Sequence, residues 1–150
     1  MGLIAKSYDL SKVVLVVGGV PIGGYGQDGG IEIAPLAPIH EVSVGADGLT
    51  VASKTNNTDA VATVTLSEMS AGYLALAAIM KIQELNPLPV LVPIPFLLID
   101  PSNGDQVSCA FVIFLDRPTI SKGRAAGERV FVLHLPGAAI PASYGVLNVI

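Results

Sequence analysis

Turn residues set the scale of this fold. Eleven prolines and sixteen glycines cut the chain into short apolar runs, and only residues 67–86 carry the period of a helix. Short apolar runs bounded by glycine or proline favour strands, because a helix needs more length to bury a useful stripe. The first runs show the pattern. In VVLVVGGVPI, Gly18-Gly19 separates Val13 to Val17 from Val20-Pro21-Ile22. Glycine accepts the positive φ of the tightest hairpin turns, so the stretch predicts a two-residue β-hairpin.

The next residues raise a different possibility. Gly24-Tyr25-Gly26-Gln27-Asp28-Gly29 spells G-x-G-x-x-G, the spacing of a dinucleotide-binding loop. Such a loop works only between a strand and a helix whose N-terminus receives the pyrophosphate. Here Ile31 to Pro38 follow, with Pro35 and Pro38 and no 3.6-residue period. No helix opens there, so nucleotide binding is not expected. These later glycines read instead as a flexible loop.

Strand signals continue. His40-Glu41-Val42-Ser43-Val44 alternates, and Asp47-Gly48 is a strong hairpin turn, with a return strand over Leu49 to Ser53. The polar KTNNTD stretch reads as a loop. Val61 to Leu66 places Val64 and Leu66 on one face and Thr63 and Thr65 on the other. Val90 to Ile99 and Val107 to Leu115 read as two long apolar strands joined by the turn-rich DPSNGDQ. Pro93 and Pro95 place part of the first at an edge or bulge. Glu128 to Leu135 alternates into another strand, and Tyr144 to Ile150 into one more.

The helix begins near Ser67 to Ser70, which offer caps, with Glu68 near the positive end of the dipole. Tyr73, Leu76, Ala77 and Met80 form its apolar stripe, with Lys81 and Glu84 toward water. Asn86-Pro87 stops it. With no repeat and no linker, residues 1–150 form a single domain. Its class is mainly β, a small β-sandwich or barrel with one flanking α-helix.

Composition then restricts where such a domain can live. Hydrophobic residues make up 51% of the chain and charged residues only 13%, against roughly 25% in an average soluble domain. Charge alone cannot cover this surface, so either lipid or partners must. A spanning helix needs about 20 apolar residues. The run Leu88 to Ile99 is shorter and holds Pro89, Pro93 and Pro95. A lone membrane barrel would need strands that alternate about an aqueous lumen, and several strands here are apolar on both faces. Neither membrane reading is expected. Lys6 and Lys12 precede an apolar run, but Asp9 and the early Gly-Gly turn argue against a signal peptide. A subunit of an assembly is the expected class.

Chemistry-bearing residues are sparse. Net charge is −4, and only KGRAAGER is locally basic, without the interleaved aromatics of a nucleic-acid site. His40 and His134 lack a second ligand at metal spacing. Cys109 is the one cysteine, which excludes an intrachain disulfide and suggests a buried, inert thiol. Ser108 sits in no strand-to-helix elbow. Asp100, Asn103 and Asp105 read as turn chemistry rather than a calcium loop. No enzyme, cofactor or metal is expected.

Three stretches carry a resemblance: VVLVVGGVPIGGYGQDGGIEI, VSVGADG and NNTDAVATVTLSEMSAGYLALAAI. Their order and spacing over about the first 85 residues resemble the tail tube proteins of tailed bacteriophages. The resemblance implies hexameric rings in which each subunit gives four strands to a continuous inner β-barrel. Rings would stack into a hollow conduit for genome ejection in the virion tail, made in the host bacterial cytoplasm. Implied partners are further copies of the chain and sheath, baseplate and tail-terminator proteins, with DNA only a transient cargo. The tubes of contractile secretion and phage-derived devices are similar in fold, so a tube subunit of such a device is the alternative. A monomeric β-barrel binding a small apolar ligand is a third reading.

Within the implied tube, alternation nominates the wall. Val42 and Val44 are expected to face the sandwich core, leaving Glu41 and Ser43 for the lumen, joined by Thr63 and Thr65. The bore is then neutral to acidic. Asp47, Gly48, Asn56 and Asn57 mark residues 45–59 as an inter-subunit loop, mobile in the monomer and ordered by neighbours.

Overall fold

Gly18 and Gly19 adopt φ of 62° and 81°, and the chain reverses there as a two-residue hairpin. This is the start of a computed structural model that describes residues 8–86, 92–102 and 104–140. The hairpin joins β1 (Val14–Val17) to β2 (Val20–Ile22). Then come β3 (Tyr25–Pro35), β4 (His40–Val44), β5 (Thr50–Lys54) and β6 (Ala60–Ser67). Helix α1 (Ala71–Glu84) follows, then β7 (Phe96–Asp100), β8 (Asp105–Cys109), β9 (Ile113–Asp116) and β10 (Glu128–Leu135).

Two four-stranded antiparallel sheets result, in the orders β2-β1-β7-β8 and β3-β6-β10-β9, and β4-β5 stands apart as a hairpin. The apolar faces of the two sheets meet. Leu15, Val17, Phe96 and Val107 come from the first, and Val64, Leu66, Phe131 and Leu133 from the second. Alternation along β6 is strict: Ala60, Ala62, Val64 and Leu66 are buried, and the residues between them are not. The mainly β sandwich with one helix is therefore the fold.

The later glycines do not form a loop. Gly26, Gly29 and Gly30 lie in the eleven-residue β3, whose pairing with β6 shifts register between Tyr25 and Gly30. No helix opens behind G-x-G-x-x-G. Gly23 and Gly24 serve close packing instead. Gly24 has φ of 82°, and a Cβ there would lie 2.3 Å from Ser70 Cβ. A Cβ on Gly72 would lie 1.9 Å from the Gly23 carbonyl oxygen. Glycines on both sides let the first turn of α1 sit directly on the β2–β3 connection.

Ser70 caps that turn by accepting the Tyr73 N–H at 3.1 Å. The buried stripe of α1 is Gly72, Leu76, Ile79, Met80 and Gln83, with Tyr73 and Ala77 packed at its margin. Gln83 is the unexpected member. Its amide donates to Val112 O at 2.8 Å and accepts the Phe114 N–H at 2.9 Å. One buried side chain thus fastens the helix to the start of β9.

The second half departs from the expected strands. Val107 to Leu115 is not one strand. β8 ends at Cys109 in the first sheet, and β9 begins at Ile113 in the second. Val112 marks the corner: it is fully buried, and its N–H donates to Ile94 O at 2.9 Å. Cys109 is buried beside this corner, its Sγ donating to Phe111 O at 2.8 Å, and desolvation pushes the thiol pKa up. Val90 to Ile99 is also shortened. Residues 87–91 lie outside the described residues, and the strand starts only after Pro95. Proline offers no N–H to a ladder, although Pro95 O still accepts from Gly18 N at 2.8 Å. The expected strand over residues 144–150 also lies outside the described residues.

Glu68 has a different task from the one expected. It lies before the cap, and its carboxylate meets Arg129 Nη2 at 2.7 Å, Lys122 Nζ at 3.1 Å and the Gly127 N–H at 3.1 Å. Arg129 is only 3% exposed and stacks 5.6 Å above the Tyr73 ring. The Gly127 N–H, followed by Lys122, holds the Glu68 carboxyl below the usual carboxylate range. The Gly137 N–H and His134 lower Asp59 in the same way. A carboxyl lowered in the folded state gives stability that is full above its unfolded value and lost as pH falls through its folded value. Unfolding should therefore ease on acidification below the ordinary carboxylate range and be level near neutrality. Thermal melts from pH 7 to pH 3 check this, and Glu68→Gln should melt lower at neutral pH with a flatter acid limb.

Candidate assembly surface

The second sheet has one face in the core and one outside. Cross-strand register sets the outer face: Glu32 lies opposite Thr63, Gly30 opposite Thr65 and Ala34 opposite Val61 on one side of β6. On its other side Val132 meets Thr63, Val130 meets Thr65 and His134 meets Val61. Thr63 and Thr65 thus stand at the centre of this outer face. Among the described side chains its carboxylates are Glu32 and Glu128, with Asp116 opposite Val132 at the β9 edge. Arg129 is the one Lys or Arg in the four strands, and it is buried. The face is uncharged to acidic.

Glu41 and Ser43 are not in this sheet. They belong to the β4-β5 hairpin, which the chain inserts between the neighbouring strands β3 and β6. Every residue of both hairpin strands is exposed. Val42 is 64% and Val44 65% exposed, so neither enters the sandwich core of its own chain, contrary to expectation. The physical reason lies in position. Beyond the Pro35–Ala60 pair, among the described residues, no opposing sheet covers the hairpin, and alternation specifies a face but not its partner. Val42 lies opposite Ala52 and Val44 opposite Thr50 on one face, while Glu41 and Ser43 lie opposite Ser53 and Val51 on the other.

The hairpin turn is built as the sequence predicts. Gly48 has φ of 85°, and Asp47 Oδ1 accepts the Leu49 N–H at 3.0 Å. The Gly45 N–H donates to Leu49 O at 2.9 Å and closes the loop. The return strand begins one residue later than expected, at Thr50. At the root, Asn56 and Asn57 lie in the connection to β6, where Asn57 Oδ1 accepts the Asp59 N–H at 2.9 Å. Asp59 in turn binds His134 Nε2 at 2.9 Å and the Gly137 N–H at 2.8 Å. His134 is thereby a structural partner of the root, and His40 is exposed at the hairpin base.

Other apolar groups also face outward. Leu74, Ile82 and Leu85 lie on the side of α1 away from the core, with Met69 ahead of it. A cavity of about 480 Å³ opens between β3 and the β7–β8 hairpin. Leu10, Ile31, Ile33, Leu98 and the carboxylates Asp100 and Asp105 are among its lining. Asp100 itself caps its turn, accepting from Ser102 N at 2.9 Å. Asn103 lies outside the described residues. Among the described residues no three His, Cys, Asp or Glu side chains converge to hold a metal ion. None of the described helices is long and apolar enough to cross a membrane.

This architecture has counterparts among solved structures. A chain of the anti-feeding prophage cap, a tube-terminating cap, superposes with a TM-score of 0.59 at 7% identity, covering 94% of this chain and 95% of that one. A chain of the sheath–tube complex of an extracellular contractile injection system gives 0.56 at 9% identity, over 91% and 92%. The chain shares the fold of contractile injection-system components. A chain of the sheath/tube terminator of the same kind of system gives 0.56 at 7% identity, over 93% and 100%. No family model matches the sequence, and no curated protein matches it. The likeness spans more than nine-tenths of the chain, so the shared fold extends beyond the first 85 residues.

Proposed function

We propose that the chain is a structural subunit of a tail tube, assembling into hexameric rings that stack into a hollow conduit. The observation that carries this reading is the sheet β3-β6-β10-β9. Among the described residues its edge strands, β3 and β9, have no outer neighbour. Open edges of this kind invite pairing with another chain, and closing a ring of sheets removes them. Setting β9 of one copy beside β3 of the next would make the outer face of this sheet the wall of a bore.

That wall suits a passage. Duplex DNA carries one negative charge per about 1.7 Å, and each lysine or arginine on a phosphate adds affinity by counterion release. A wall of Thr63, Thr65, Val130 and Val132 with Glu32 and Glu128 offers DNA no such contact. This supports genome passage as the cargo reading. Glu41 and Ser43 leave the wall in this reading and join the exposed arm. The device is a phage tail or a phage-derived contractile particle, with sheath and terminator proteins as further partners.

The cap and terminator counterparts favour a second reading, in which the chain forms the ring that ends a tube. Electron microscopy of the purified protein separates the two. Stacked tubes are expected for a tube subunit, and single rings that bind tube ends for a terminator. A monomer at high concentration, by sedimentation and microscopy, would overturn both and favour a monomeric barrel with a ligand in the 480 Å³ cavity. Hydrogen exchange gives a finer test. Residues 45–59, held only by an exposed two-stranded hairpin, should exchange faster in the monomer than the ladder of β6 and β10 and become protected on assembly. Gly48→Val should impair assembly too, since a β-branched residue strains the φ of 85° there.

A further inference from the structure

We infer that residues 141–150 fold back on their own chain and fill the cavity between β3 and the β7–β8 hairpin with Tyr144, Val146 and Leu147. Docking of this kind belongs to the single subunit and needs neither ring nor tube. The cavity holds about 480 Å³, with apolar walls on both sides: Ile31 and Ile33 come from β3, Leu98 and Val107 from β7–β8. Behind them lies the sandwich core, of which Val107 is a member and against which Ile31, Ile33 and Leu98 pack. Protein interiors are close-packed, and an apolar wall is stabilised when another apolar group displaces water from it.

Backbone pairing leads the chain there. Beyond β10 the chain returns to the first sheet, where Ala139 pairs antiparallel with Ser108 of β8. The Ala139 N–H donates to Ser108 O at 2.8 Å, and the Ser108 N–H donates to Ala139 O at 3.0 Å. Continued in the same sense, residues 140, 141 and 142 pass Val107, Gln106 and Asp105. All three of these β8 residues line the cavity, and so does Ile140, the last of the described residues. Residue 141 is a proline. It offers no N–H to β8, so the ladder is interrupted at the cavity and the chain is free to leave the edge there.

The sequence beyond suits the space. PASYGVLNVI holds Tyr144, Val146, Leu147, Val149 and Ile150 and no charged residue. Such side chains are stabilised by leaving water. Asp100 and Asp105 belong to the cavity lining, and an uncharged segment sets no like charge beside them. The reach is short, since the chain from Ile140 to Leu147 spans at most about 25 Å. Attachment at Ile140 also makes the event intramolecular. A short tether gives an effective concentration of about millimolar, far above that of a neighbour's segment in dilute solution. Filling the cavity would brace the inner face of β3, the edge strand that the ring reading pairs with a neighbour.

Two full-chain variants test this in dilute solution. With Tyr144 replaced by benzoylphenylalanine, illumination should cross-link it to peptides that carry Ile31 and Ile33 or Leu98 and Val107. In an equal mixture of heavy-isotope and light-isotope chains, each product should be wholly heavy or wholly light. The chain has no tryptophan, so Leu147→Trp adds a single reporter. Its emission should be blue-shifted, and acrylamide should quench it several-fold less than in the same variant unfolded in urea. Any of four results would overturn the docking. Products joining heavy to light chains would give the cavity to a neighbouring copy. Cross-links that miss both walls, or a tryptophan as exposed as in urea, would leave the segment outside. A small molecule retained by the wild type in native mass spectrometry, one per chain, would make the cavity a ligand site. Absence of rings or tubes bears on the ring reading alone, and the same readouts still decide the docking.

Discussion

Gly72→Ala should cost about 3 kcal/mol or more of folding stability, at the upper end of what overpacking a filled site costs. Helix propensity alone predicts the opposite sign, since alanine in a helix interior is better than glycine by about 1 kcal/mol. Packing decides. The added Cβ would lie 1.9 Å from Gly23 O and 3.0 Å from Gly23 C and N, all main-chain atoms that no rotamer can move. The β2–β3 connection cannot retreat easily. Gly24 O accepts the Ser67 N–H at 2.9 Å, and Gly24 already lies against Ser70. Native domains hold only about 5–15 kcal/mol in all, so the variant should be destabilised enough to see in any denaturation. Urea unfolding gives the measure, as a fall in midpoint with the slope retained. Gly123→Ala is the control: a Cβ there meets nothing within 4 Å, and the change should stay within about 0.5 kcal/mol. A Gly72→Ala variant as stable as the wild type would show that α1 does not rest on this glycine contact.

The same pair of glycines shows how far the sequence can be read. Gly18-Gly19 and Asp47-Gly48 are legible because a positive φ is a local demand, and both turns lie where their residues place them. Gly23, Gly24 and Gly72 are not legible in that way. Their role is mutual contact across nearly fifty residues of sequence, and no local pattern records it. A motif search sees G-x-G-x-x-G at that point and suggests a ligand, when the absent side chains make room for a helix. Alternation likewise reads β6 and β10 correctly, because both are covered on one face and open on the other. It fails for β4. Val42 and Val44 share a face as expected, but that face is largely exposed rather than buried in the core. The run Val107 to Leu115 fails for a third reason. Apolar residues continue through Val112 while the chain turns from one sheet to the other, so continuity of hydropathy hides a corner. Of the nominated wall, Thr63 and Thr65 follow from β6 alone. Glu32 and Glu128 become visible only once β3 and β10 are placed beside β6.

Replacing Val42 and Val44 together with aspartate should abolish assembly and leave the monomer's folding intact. Both side chains are largely exposed and lie on one face of a hairpin whose strands bury nothing. Their removal from the monomer therefore takes little from its core, and its Tm should hold within the small range of surface substitutions. In a ring or stack they would be covered. A valine taken from water contributes about 1.5–3 kcal/mol, and an aspartate in the same place would bury a carboxylate without a partner, which costs more than the lost transfer. The loss is repeated in every copy of every ring, so a modest effect per subunit becomes a large one per tube. Calorimetry and sedimentation on the same sample read the two halves of the expectation. Ser43→Asp serves as the comparison, since Ser43 lies on the opposite face beside Val51. Unchanged tubes from the Val42→Asp, Val44→Asp variant would show that this face stays in water after assembly. A monomer that no longer folds would show instead that the arm contributes to its own domain. Normal monomer melting combined with absent tubes is the result that assigns these valines to a neighbouring copy.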